Sequence, residues 1–87
     1  MQFDGSIIKE QGVTFGIVVV KSHILSNHAE ADDLISAYEG VMGVAPVVLM
    51  AQDSRGVPSY YGRKDIVDFL ARIDVRRIPW KRYTLPG

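Results

Sequence analysis

The run Val13-Thr-Phe-Gly-Ile-Val-Val-Val-Lys21 narrows the folds open to this chain more than any other stretch. It is rich in β-branched residues, and apolar side chains fall on both of its faces. Val13, Phe15, Ile17 and Val19 share one face, and Thr14, Gly16, Val18 and Val20 the other. A strand of this kind is buried on both sides, as in a parallel or mixed sheet, and the rest of the chain is placed by asking what covers it. Gly16 interrupts the second face, where a strand glycine marks a bulge or the close approach of another backbone.

Upstream, Ser6-Ile-Ile-Lys-Glu-Gln11 reads as a short strand, hairpinned to the central one at Gly12. Downstream, Asn27 stands three residues before Glu30, a capping arrangement that starts a helix near His28. Ala31, Leu34, Ile35, Tyr38, Val41 and Met42 follow the spacing of a core-facing stripe, and Gly43 is a natural stop. Ala45-Pro-Val-Val-Leu-Met-Ala51 lacks alternation and reads as a second interior strand, so a right-handed crossover sets the two interior strands parallel.

Gln52-Asp-Ser-Arg-Gly56 is a turn, and Val57-Pro-Ser-Tyr-Tyr61 returns antiparallel with Pro58 at its start or on an edge. Gly62 then precedes a second helix with Ile66, Phe69, Leu70 and Ile73 as its buried stripe, and Ile78-Pro-Trp-Lys-Arg-Tyr-Thr-Leu85 reads as an edge strand.

The expectation is one α+β domain over residues 1–87, in the order β-β-α-β-β-α-β. It is a two-layer sandwich of a mixed sheet of about five strands with two helices, most simply on the same face. That arrangement leaves the second sheet face to be hidden. The N-terminal segment, the C-terminal tail or another copy of the chain can supply the cover, and the sequence favours a homodimer joined over Val18, Val20, Val48 and Met50.

Composition bounds the function classes. The 87 residues are 47% apolar and 23% charged, which suits one small globular core. The chain has no cysteine, which removes disulfides, thiolate metal sites, thiol catalysis and iron–sulfur clusters. Its start lacks the basic and apolar segments of a signal peptide, and no apolar run approaches the ~20 residues of a membrane span, so a soluble cytoplasmic protein is expected. The net charge of +0 hides a division: residues 1–54 carry two cations against seven acids, and residues 55–87 carry eight cations against three. Such asymmetry suits an anionic partner for the basic part, or attraction between the halves within the fold or across a dimer.

Two basic constellations follow. At Pro58-Ser-Tyr-Tyr-Gly-Arg-Lys64, a helix start with Arg63 and Lys64, flanked by Tyr60 and Tyr61, has the parts of an anion site. Further on, Arg72, Arg76, Arg77, Lys81 and Arg82 are interleaved with Trp80 and Tyr83, the cations and flat rings that phosphate backbones and unstacked bases require. No RNA-binding signature, helix-turn-helix or zinc finger accompanies them. His23 and His28 lie near Glu30, Asp32 and Asp33, but acids in a first helical turn are accounted for by the helix dipole, and no metal or cofactor is implied. No serine sits in a nucleophile elbow and no paired carboxylates suggest acid–base work.

Arg55-Gly-Val-Pro-Ser59, followed by aromatic residues, Gly62 and a helix, resembles the cis-proline segment of thioredoxin-like domains, and the preceding β-α-β is similar in outline. The resemblance covers about a third of the chain and implies a cis bond at Pro58. The family's redox cysteine pair is missing, as is a second helix between Ala51 and Pro58.

The leading expectation is thus a non-enzymatic domain working through protein contacts, with itself or another protein as partner. The alternative is binding of an anion or nucleic acid through the basic, aromatic-containing C-terminal third.

Overall fold

In a computed structural model, which describes residues 2–84, five strands form one mixed sheet. The strands are β1 (Gln2–Glu10), β2 (Val13–Val19), β3 (Val47–Gln52), β4 (Pro58–Tyr61) and β5 (Lys81–Thr84), and the order across the sheet is β4-β3-β2-β1-β5. The helices are α1 (Ser22–Leu25), α2 (His28–Met42) and α3 (Lys64–Leu70), with a 3-10 turn at Val75–Arg77. None of these helices is long and apolar enough to cross a membrane. The α+β class, the mixed sheet and the order of its main elements are those expected from the sequence.

Local chemistry sets the boundaries. A tight turn at Gln11 and Gly12, both at positive φ, joins β1 to β2, pairing Glu10 with Val13 and Gly5 with Val18. Asn27 caps α2 by accepting from the Glu30 amide at 3.2 Å, and the helix ends at Gly43 in the left-handed region, φ 67°. Parallel pairing of Ile17 with Val48 then follows from the crossover through α2. Asp53 builds the next turn, accepting from the amides of Arg55 and Val57 at 2.8 and 2.9 Å.

The two-layer arrangement is corrected. Phe15, Ile17, Val48 and Met50 form one buried cluster with Ile66, Leu70 and Ile78, which is the α3 side. Val18, Val47 and Leu49 form another with Phe3, Ala31 and Tyr38, which is the α2 side. The helices therefore lie on opposite faces and the sheet is the middle layer. Strands apolar on both sides need cover on both sides, and one helix on each supplies it.

Three smaller corrections concern particular segments. β1 begins at Gln2 rather than Ser6, because Gln2–Gly5 pair with Thr84–Lys81 of β5. Between β2 and α2, where the sequence pattern marks no element, the chain forms the short helix α1. Among the described residues the one cis peptide bond is Ala45–Pro46, so the cis bond implied at Pro58 is absent. The expected end of the last strand, Leu85, lies outside the described residues.

Candidate functional site

The basic residues singled out in the sequence do not converge. Tyr60 faces the α3 cluster with its hydroxyl buried, while Tyr61 faces the α2 side and donates to Asp32 Oδ1 at 2.8 Å. Adjacent strand residues point to opposite faces, so the pair cannot flank one anion. Arg63 Nε lies 2.8 Å from Asp65, and Lys64 Nζ 2.7 Å from Asp68. Trp80 packs against the α3 cluster and spends its Nε1–H on Val75 O at 2.9 Å, which removes it as a stacking platform.

Three further cations are engaged within the chain. Arg76 forks onto Asp74, Arg82 Nε donates to Asp4 at 2.6 Å, and Lys81 lies over the Tyr83 ring at 5.4 Å. Among the described residues, Arg72 and Arg77 have no acid within 4.0 Å. The fork lowers Asp74 to about 2, chiefly through the Arg76 side-chain bond and then the Arg76 amide. Asp32 holds the Tyr61 phenol above its usual range, and burial does the same for Tyr38 and Tyr60.

The apolar set named as a dimer face is split by the sheet. Val18 and Val20 belong to the α2 side, whereas Val48 and Met50 belong to the α3 side. Val18, Val48 and Met50 are buried inside the chain, and Val20 is half-buried. They do not share a surface.

Another surface is open. On the α2 side, α2 covers β2 and β3 and meets β1 at Tyr38, whose ring centroid lies 4.9 Å from that of Phe3. Phe3 in turn stacks on Tyr83 of β5 at 5.1 Å and 9°. Beyond this aromatic row, the strip of sheet made by Ile7, Lys9, Thr14 and Lys81 has no roof: all four are exposed, Ile7 at 43%. Ile7 pairs with Gly16, and a Cβ there would lie 3.2 Å from Val44 and 3.3 Å from Met42 Sδ, so the end of α2 borders the strip.

Helical spacing places Asp32 and Glu39 on the flank of α2 toward β4, where they bond Tyr61 and the Val47 amide. By the same spacing Glu30, Ala37 and Val41 lie on the flank toward the strip, with Asp33 and Gly40 on its outer shoulder. Helix α2 carries four acids and no Lys or Arg, while the strip beside it carries Lys9 and Lys81. Ile7 is not legible as a surface residue while β1 counts only as a hairpin partner. The signal was the Ile7-Ile8 pair, which puts one apolar side chain on each face.

Among the described residues, no group of three or more His, Asp or Glu side chains is placed to hold a metal. His28 stacks on Tyr61 at 4.8 Å. Comparison with protein-family models, with curated proteins and with solved structures finds no match to this chain.

Proposed function

We propose that the chain is a homodimerising interaction domain, joined through the α2 side of the sheet. The observation that carries the reading is the unroofed strip with Ile7 exposed at its centre, beside a helix of opposite charge. A two-fold axis along the strands brings α2 of each copy over the strip of the other. The acidic shoulder at Asp33 then faces Lys81, and Val41 meets Ile7. Small residues at Ala37 and Gly40 let the two helices approach closely. The contact is closed and self-complementary, and its apolar centre ringed by charges is the common anatomy of such an interface.

Light scattering on a sizing column tests it. The expected result is a dimer that Ile7→Asp splits and that Lys81→Glu weakens, with Asp33→Lys restoring the Lys81→Glu variant. A wild-type monomer across the concentration range refutes it. The nucleic-acid alternative has less support, since the aromatic rings expected to stack on bases are engaged inside the chain. Salt-sensitive oligonucleotide retention, lost on Arg72→Glu with Arg77→Glu, would favour it instead.

A further inference from the structure

Where β2 ends, its two neighbours part company. The β1–β2 ladder stops at Gly5–Val18, yet β1 continues back to Gln2 alongside β5. The chain after Val19 turns the other way, with the Val20 amide donating to Met50 O of β3 at 2.8 Å. Between them a cleft of about 700 Å³ opens, lined by Gln2, Asp4 and Arg82 on one wall and Lys21 and His23 on the other. Phe3, Tyr38 and Ile24 supply its apolar surface. Ligand sites are concave clefts with a few convergent polar groups.

The cleft is cationic. Lys21, His23 and Arg82 are the basic side chains that line it, and Asp4 is the single acid. Asp4 also fixes the guanidinium: Arg82 gives its Nε–H to Asp4 at 2.6 Å and one Nη1–H to Gln2 Oε1 at 3.3 Å. The Nη2 group is bonded to no described residue, and Lys21 has no acid within 4.0 Å among them. Tyr38 is only 8% exposed and lines the cleft, and no described residue bonds its hydroxyl. Burial keeps that phenol protonated, so it is available as a donor.

We infer that this cleft binds a small organic anion, a flat apolar body bearing a carboxylate or phosphate head. Lys21 takes the head, and Arg82 Nη2, which β5 places on the α3 face, meets it through the gap where β1 and β2 part. The tilted Phe3–Tyr38 pair and Ile24 take the body. Lys21 and His23 lie outside the contact proposed for the dimer, so the two readings stand or fall separately.

Amide NMR titrations with phenyl phosphate, benzoate, inorganic phosphate and phenol test it. Saturable shifts confined to Gln2–Asp4 and Lys21–Ile24 are expected with phenyl phosphate or benzoate. The one that binds identifies the head. Its affinity should exceed that for inorganic phosphate or phenol by about tenfold or more, and Lys21→Met should cost about tenfold. Lys21 is exposed and unpaired, so the variant keeps the fold, which its spectrum reports. The inference is overturned by no saturable shift, by inorganic phosphate binding as tightly as phenyl phosphate, by shifts centred on Arg72–Arg77, or by a Lys21→Met variant that binds like the wild type.

Discussion

The Tyr61 hydroxyl donates to Asp32 Oδ1 at 2.8 Å, joining the edge strand β4 to helix α2. The carboxylate stabilises the protonated phenol, first by the bond and then by its charge, so Tyr61 titrates above 10.0. The linked stability is present below the unfolded value near 10 and fades as pH rises through the folded one. Asp32→Asn should bring the Tyr61 transition back down in a phenolate titration while Tyr38 and Tyr60 stay high. An unmoved Tyr61 transition would mean that the bond does not form in solution.

Asp74 supplies the acid-side counterpart. Its folded value of about 2 lies well below the ordinary carboxylate range, so its contribution is complete above the unfolded value and is lost as pH falls through about 2. Urea midpoints between pH 4 and 2 should fall less steeply in Asp74→Asn than in the wild type. Equal slopes would show that the Arg76 fork is not held in water.

Leu49 and Met50 are neighbours in β3 under different helices, each almost wholly buried. Leu49→Ala and Met50→Ala should each lower stability by about 2–5 kcal/mol in urea unfolding. If the helices shared one face, one of the two changes would cost about 1 kcal/mol or less.

Gly5 sits between β2 and β5, and a Cβ there would lie 2.7 Å from the Ile17 carbonyl oxygen. A main-chain atom cannot swing aside, so Gly5→Ala should cost about 1–3 kcal/mol. Gly40 is in α2 with open space around an added Cβ within one copy, so Gly40→Ala should stabilise by about 0.5–1 kcal/mol at dilutions where the chain is monomeric. Reversal of these two signs in urea unfolding would contradict the placement of both residues.

Much of the fold was legible because single residues carried strong local signals. Asn27 with Glu30 marked the start of α2, Gly43 its end, and the unalternating runs around Ile17 and Val48 the interior strands. The layering was misread although its signal was present. Val18 beside Ile17 and Leu49 beside Val48 already demanded cover on two sides, and the second helix provides it within the chain. The pairing of Gln2–Gly5 with β5 was not legible, since nothing local in Phe3 or Tyr83 announces a partner about eighty residues away. The candidate sites were harder still. Arg82 becomes part of a cleft only because Asp4 and Gln2 hold it, and Ile7 becomes a surface only because α2 stops short of β1.

The aromatic row of Tyr38, Phe3 and Tyr83 also orders events in time. Phe3 is made about eighty residues before Tyr83, so a chain emerging from the ribosome holds one side of β1 unmatched until β5 arrives. During synthesis that edge is the stretch most open to strand pairing with a neighbouring nascent chain. Asp4, the one charged residue within it, is the gatekeeper standing there.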